Sequence, residues 1–313
     1  MKILITGGAG FIGNHLTKSL IPLGHEITVL DNLETSNIPN GEFQFCEGSI
    51  LDEQLVSKLV KNVDQVIHLA ASVGVKNIIE SPLRGLRTNV LGSEIVIRAC
   101  SNENKALLLT SSSEIYGKNT SNSLNELSDR VIGVPQKSRW SYSDSKAIEE
   151  AFALAYFREL DLPVKIVRLF NTVGPGQIGD YGMVMPRLID SAIRNLDLEI
   201  YGTGQQTRCF MHVSDAVRGI ISFMEKDSAV GEVVNLGNPQ EISILKLAEL
   251  VVSETNSRSK IKFISHHEIF GEDFEDMERR VPEISKAKEL LDWLPIKNLQ
   301  EIIRDILVDR TRK

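Results

Sequence analysis

The stretch "KILITGGAGFIGNHLTKSL", residues 2–20, runs an apolar segment straight into a cluster of glycines where a helix is due to begin. Glycine costs about 1 kcal/mol against alanine inside a helix, so the cluster has to serve something other than helix stability. The spacing Gly8-x-Gly10-x-x-Gly13 suits a strand–turn–helix unit. There the first glycine permits a tight turn, the second lets backbone approach a pyrophosphate, and the third lets the helix pack on the strand. Free N–H groups and the positive dipole end of the helix then face the phosphate. "EITVLD" follows and ends on Asp31, about where an acidic residue takes up the ribose hydroxyls of NAD. Asn32 comes next with no arginine beside it, and a carboxylate there repels the 2′-phosphate of NADP. The segment points to NAD. The structural alternative for Asp31 is a residue that only caps the strand-end turn.

Further along, short β-branched runs ("DQVIHLAA", "KALLLTSSS", "VKIVRLFN") alternate with amphipathic stretches such as "NVLGSEIVIRACSN". That alternation is the sequence form of repeated βαβ units, so the expected fold is α/β: a Rossmann-type doubly wound parallel sheet with a smaller C-terminal α/β domain. After "VKIVRLFN" (164–171) the chain turns glycine- and proline-rich, "TVGPGQIGDYG". The expected division is residues 1–171 for the cofactor domain, with a later return at roughly 210–240, and 172–313 mainly for the substrate.

Composition narrows the function. The 313 residues are 42% hydrophobic and 25% charged, enough for a sizeable core, and the formal net charge of −7 with no Lys/Arg-rich block argues against a nucleic-acid partner. Cys46, Cys100 and Cys209 are odd in number and widely spaced, and the six histidines form no ligand pattern, so neither disulfides nor a metal are expected. No stretch reads as a signal peptide or a membrane span, and the expected location is the cytoplasm.

"RWSYSDSKAIEEAF" (139–152) sets Tyr142 and Lys146 four residues apart, on one face if the segment is helical. An ordinary phenol, with pKa near 10, is a feeble base at neutral pH, and a nearby ammonium makes it a better one.

Together with the second glycine register Thr6-Gly7-x-x-Gly10-x-x-Gly13, "HLAA" (68–71) and "TSSSEIYG" (110–117), this pair resembles the extended short-chain dehydrogenase/reductase family over nearly the whole chain. The resemblance implies that Tyr142 takes a sugar hydroxyl proton while hydride passes to NAD, with Lys146 assisting and Ser112 bonding the same hydroxyl. It also implies an NAD site of Gly7, Gly10, Phe11, Ile12, Gly13, Asp31, Asn32, Leu69, Ala70, Ala71 and Asn89, besides Tyr142 and Lys146.

The second half ("VRLFNTVGPGQ", "LEIYGTGQQTRCFMHVSDAVRGI", "VVNLGNP" and "RRVPEISKAKELLDWLP") resembles the nucleotide-sugar branch. That implies a nucleotide-sugar substrate, UDP-linked, contacted by Asn171, Arg187, Tyr201, Arg208 and Arg280. Relatives of this kind dimerise through a four-helix bundle that includes the tyrosine helix, so a homodimer is implied.

Oxidation at sugar C4 opens three outcomes: 4-epimerisation, loss of water to a 4,6-dehydrated product, or loss of carbon dioxide from a C6 carboxylate. Glu114 discriminates among them, because the resemblance puts a small residue there in epimerases and Glu in UDP-glucuronate decarboxylases and some dehydratases. "GVPQKSRWSYSDSK" and "GEDFEDMERRVPEISKAKELLDWLP" also resemble the decarboxylases. The preferred reading is therefore UDP-glucuronate decarboxylase-like, with 4-epimerase and 4,6-dehydratase as alternatives and an inactive NAD-sensing regulator as a minor one.

Overall fold

The computed structural model describes residues 1–38, 40–179, 183–270 and 275–311. Residues 180–182 of the glycine-rich loop and 271–274 of the C-terminal motif lie outside that set. Seven strands form one parallel sheet: β1 (Lys2–Thr6), β2 (Glu26–Asp31), β3 (Gln44–Glu47), β4 (Gln65–His68), β5 (Ala106–Ser112), β6 (Val164–Leu169) and a last strand, Val233–Leu236. Across the sheet the order is last strand, β6, β5, β4, β1, β2, β3. The order reverses at β1, and the crevice beyond the carboxyl ends of β1 and β4 is where such sheets bind ligands.

The apolar run that opens the chain is buried on both faces. Ile3 and Ile5 pack into one core with Leu16 and Leu20 of helix α1 (Phe11–Leu20), while Leu4 packs into the other with Val56 and Val60 of α2 (Glu53–Lys61). A strand covered on both sides needs apolar residues at every position, which is why "KILI" shows no polar alternation. β3 was not legible in this way. "QFCE" is a half-exposed edge strand that pairs with β2 and packs Phe45 on one core and Cys46 on the other.

After β4 come α3 (Val75–Glu80), α4 (Pro82–Leu86), a π-helical stretch over Arg87–Gly92, and α5 (Ser93–Asn102). The long α6 (Ser141–Leu160) packs against α5 and β5. A separate core joins α7 (Val184–Ile193), the short strand Leu198–Tyr201, α9 (Ile244–Thr255) and the C-terminal helix Leu299–Thr311, through residues such as Leu188, Ile200, Leu247 and Ile303.

Between these, α8 (Val213–Glu225) lies against α1, and Val217, Ile220 and Phe223 join the first core. The chain comes back to that core again at Ala287 and Trp293. Trp293 Nε1 donates to Asp215 O at 2.9 Å, and Asp215 Oδ2 accepts from the N–H groups of Ile296 and Lys297, each at 3.0 Å. Much of "ISKAKELLDWLP" therefore serves to pin the C-terminal segment beneath α8.

Candidate active site

The glycine turn is tight at Gly7, which takes φ +70°, rather than at Gly8 as the sequence suggests; a Cβ on Gly7 would lie 2.6 Å from Ala70 N. The loops after β1 and β4 thus press backbone to backbone, and any side chain at Gly7 would part them. At Gly13 a Cβ would meet Gly7 O at 2.4 Å, so the first turn of α1 can sit on the loop only because that residue has no side chain. Gly10 caps α1 in extended conformation without a side-chain acceptor. The N–H groups of Phe11, Ile12 and Gly13 precede the first intrahelical acceptor use, at Asn14 N to Gly10 O, and stand available to an anion.

Asp31 closes this loop from the other side. Its Oδ2 accepts from Ala9 N at 3.0 Å and its Oδ1 from Leu33 N at 2.9 Å. The carboxylate therefore caps the turn and still has lone pairs for a ribose diol, so the two readings of Asp31 are compatible. Asn32 is exposed and its Oδ1 accepts from Glu34 N. Tertiary structure adds Arg84, which α4 brings into an ion pair with Glu34. Asp31→Ala is expected to lower the NAD/NADP affinity ratio at least about tenfold, or about 1.4 kcal/mol, because both ribose bonds and repulsion of a 2′-phosphate are lost. An unchanged ratio by calorimetry would make Asp31 a turn residue only.

The other wall is the loop after β4. Leu69 N donates to Thr6 O and Ala70 N to Thr6 Oγ1, which fixes Leu69, Ala70 and Ala71 beside the glycine turn. Asn89 reaches across from the π-helical stretch: its Oδ1 accepts from Ser72 N at 2.7 Å and its Nδ2 donates to Ser145 Oγ at 3.1 Å. It ties this loop to the tyrosine helix.

Tyr142 stands in the first turn of α6, half-buried, and Lys146 one turn on is only 3% exposed. Burial pushes the Tyr142 phenol up from its ordinary value; the Lys146 charge and the nearby Ser112 hydroxyl pull it back, and Glu149 and Glu114 push up again. Lys146 Nζ donates to Thr110 O at 3.1 Å and Glu149 Oε2 at 2.9 Å. Burial alone would lower its pKa, but Glu149 and Tyr142 hold it above the usual lysine range. The site thus contains a proton donor and acceptor with a permanently charged ammonium beside it.

Glu114 lies in the short helical turn after β5, its N–H donating to Ser112 Oγ at 3.2 Å. Arg280 Nη1 donates to its Oε1 at 2.5 Å, and Arg139 Nη1 is ion-paired with its Oε2 at 2.6 Å. Although burial works the other way, the two guanidiniums hold the Glu114 carboxyl well below the usual carboxylate range. It is a fixed anion, poorly suited to giving a proton, so its part is to orient. Arg280 Nη2 also donates to Asn171 Oδ1 at 2.6 Å, and Arg208 Nη2 to Asp276 Oδ2 at 2.7 Å. Arg187 stacks over the Tyr201 ring at 4.1 Å, in a separate part of the site wall formed by α7 and its neighbouring strand.

Sequence reasoning missed Arg139 and Asp276. Arg139 is 3% exposed and faces both Glu114 and, at 3.7 Å, Asp276. Among the described residues this cluster sets three arginines, Arg139, Arg208 and Arg280, against two carboxylates, Glu114 and Asp276. An arginine directly ahead of the tyrosine helix was the available signal for Arg139; nothing local marks Asp276. Among the described residues there is no group of acidic, histidine or cysteine side chains able to hold a metal, and no helix long and apolar enough to cross a membrane.

Comparison with known proteins shows the family and the fold. Residues 3–237 match the "NAD dependent epimerase/dehydratase family". The chain is 39% identical over 305 residues to a UDP-N-acetyl-alpha-D-glucosaminuronate decarboxylase of Bacillus cytotoxicus, covering 94% of this chain and 92% of that one. It is 37% identical over 304 residues to UDP-glucuronic acid decarboxylase 1 of Xenopus tropicalis, covering 96% of this chain and 70% of that one. Among solved structures, UDP-glucuronic acid 4-epimerase from Bacillus cereus, in complex with UDP-glucuronic acid and NAD, superposes with a TM-score of 0.88 at 27% identity, covering 100% of this chain and 99% of that one.

Proposed function

The chain belongs to the NAD dependent epimerase/dehydratase family, and from that footing we propose that it removes carbon dioxide from a UDP-linked hexuronate after oxidation at sugar C4. The single observation that carries the choice of reaction is Glu114, a fixed anion clasped between Arg139 and Arg280 two residues past Ser112. Substrates named in both decarboxylase relatives carry a C6 carboxylate, and the buried guanidiniums of Arg139 and Arg280 suit it.

The residues that would hold NAD fit it: an uncapped helix start, a backbone cradle that Cβ atoms at Gly7 and Gly13 would fill, and the Asp31 carboxylate. When bound there, NAD supplies a hydride acceptor and donor. Tyr142 takes the proton from the C4 hydroxyl, with Ser112 bonding the same oxygen and Lys146 stabilising the phenolate. The resulting C4 ketone lies β to the C6 carboxylate, so carbon dioxide leaves with its bonding electrons passing into the ketone as an enolate. Tyr142, now protonated, and Ser112 hydrogen-bond that oxygen. Arg139 and Arg280, pre-set by Glu114, hold the carboxylate in place until it leaves. Arg208 and the Arg187–Tyr201 stack offer a clamp for the diphosphate and a surface for the base.

Products separate the readings. With UDP-glucuronate or its 2-acetamido analogue, loss of carbon dioxide supports the proposal; unchanged mass would leave 4-epimerisation, and loss of water from a UDP- or dTDP-hexose would leave dehydration. Glu114→Gln keeps shape and removes charge. It is expected to lower product formation on the order of 10²-fold while nicotinamide reduction in a single turnover persists. A mass-unchanged, epimerised product formed by this variant at near-normal rate would overturn the decarboxylase reading.

The finer reading also includes a cytoplasmic homodimer. It is supported by the free thiols of Cys46, Cys100 and Cys209 and by Leu91, Ile148 and Phe152, exposed apolar side chains on and beside α5 and α6. A monomeric mass by light scattering would remove the dimer.

A further inference from the structure

Behind Tyr142, helix α6 carries two adjacent acidic residues with different partners. Glu150 is held by Arg168 of β6, at 2.9 and 2.7 Å. Glu149, whose side chain is fully buried, pairs with no arginine among the described residues; its Oε2 lies 2.9 Å from Lys146 Nζ. An ammonium has three hydrogens. One goes to Thr110 O and one to Glu149, which leaves one for the reacting side.

The Ser93 hydroxyl of α5 lies close enough to Glu149 to favour its charged form; Ser93 Oγ lies 2.8 Å from His68 Nε2, and His68 Nδ1 lies 2.6 Å from Thr6 Oγ1. Thr6 is the last residue of β1, directly before Gly7. Ser93, His68 and Thr6 thus form a chain of hydrogen bonds from the neighbourhood of Glu149 to the floor of the glycine turn. Burial holds the His68 imidazole neutral, at about 3, so Lys146 is the charged partner at this end of the chain of bonds.

We propose that Glu149 is a positioning residue for proton transfer at Tyr142: it fixes the direction of the Lys146 ammonium, and its charge offsets part of the field that Lys146 lays on the phenol. The proposal rests on Tyr142 as the acid–base group of the reaction. A lone buried ammonium would favour phenolate strongly, whereas a catalytic cycle that first takes and then gives a proton needs a group that does both. The charged groups facing Tyr142 are Lys146 and Glu149 from α6 and Glu114 after β5, with Ser112 as neutral partner. Glu149 faces Lys146, Glu150 and Ser93. Glu114 and Glu150 are themselves offset, by Arg139 with Arg280 and by Arg168, so Lys146 and Glu149 set the balance.

The test uses the full-length protein with NAD added and no sugar substrate. The phenolate absorbance of Tyr142 is obtained by subtracting, in each background, the titration of the corresponding Tyr142→Phe protein, since the chain has five tyrosines. Glu149→Gln, which keeps an acceptor for Lys146 but loses the charge, is expected to move the Tyr142 midpoint down by about one pH unit. The acidic limb of kcat/KM should move with it. Glu149→Leu is expected to weaken NAD binding and lower kcat at every pH, and Glu149→Gln to restore NAD binding; if the Leu protein does not fold, the Gln titration decides. An unmoved midpoint in Glu149→Gln, or equal NAD affinity in the Leu and wild-type proteins, would overturn the proposal. A shifted midpoint in a protein that turns over no UDP-hexuronate would instead refute the substrate reading and leave Glu149 in its role.

Discussion

Tyr142→Phe is expected to lower turnover by a factor on the order of 10² to 10⁴, the usual range for a positioned acid–base group, while NAD affinity and folding stay close to wild type. The reason is local. Burial, the Lys146 ammonium and the Ser112 hydroxyl all act on the phenolic oxygen, and the ring itself fills its place at the start of α6 with or without that oxygen. In the proposed mechanism, removing the oxygen removes the group that takes the C4 hydroxyl proton, and the charged residues described around it offer no replacement. Glu114 is held as a firm anion by two guanidiniums, and Lys146 is held as an ammonium by Glu149. Wild-type-like steady-state rates in the Phe variant would take Tyr142 out of the mechanism. A loss confined to KM would make it a binding residue.

Lys146→Met is expected to act on both rate and stability. The rate at neutral pH should fall on the order of 10²-fold and recover in part as pH rises, because phenolate then forms without help. Stability should fall because Glu149 is left buried without its counter-charge, and breaking one side of a buried pair costs roughly 3–5 kcal/mol. Burial already raises the Glu149 carboxyl, with Lys146 pulling the other way; without Lys146 it rises further. A group whose folded-state pKa exceeds its unfolded value keeps its full contribution below the unfolded pKa and loses it as pH rises through the folded one. The Met variant should therefore be closest to wild type in stability near pH 5 and furthest from it near pH 8. Lys146→Met/Glu149→Leu removes both charges and should regain stability at pH 8 but not turnover. Urea unfolding of the three proteins at both pH values checks this. A Met variant as stable as wild type at pH 8 would show that Lys146 and Glu149 do not form a buried ion pair.

The βαβ frame was legible in the sequence because its causes are local. A strand covered on both faces must be apolar at every position, as Lys2–Thr6 nearly is, and a helix that starts against a backbone loop must lack side chains at Gly7 and Gly13. Tyr142 and Lys146 were legible for the same reason, since helical spacing alone puts them on one face. Asp31 was legible as an acidic strand end, although its bond to Ala9 N, which makes it the clasp of the glycine turn, was not.

What tertiary structure decided is the state of the charges. Arg139, Glu114, Asp276 and Arg280 come from segments up to 166 residues apart, and no local pattern says that they meet. Only once they do is Glu114 a fixed anion rather than an acid. Lys146 and Glu149 are neighbours in sequence, yet the consequence of that spacing depends on burial by α5, β4 and β5. On a solvated helix face such a pair is worth little, whereas buried, as Lys146 and Glu149 are, it acts in a lower dielectric. Sequence spacing determined which groups this protein has at hand; the low-dielectric packing around them determined which keep their protons.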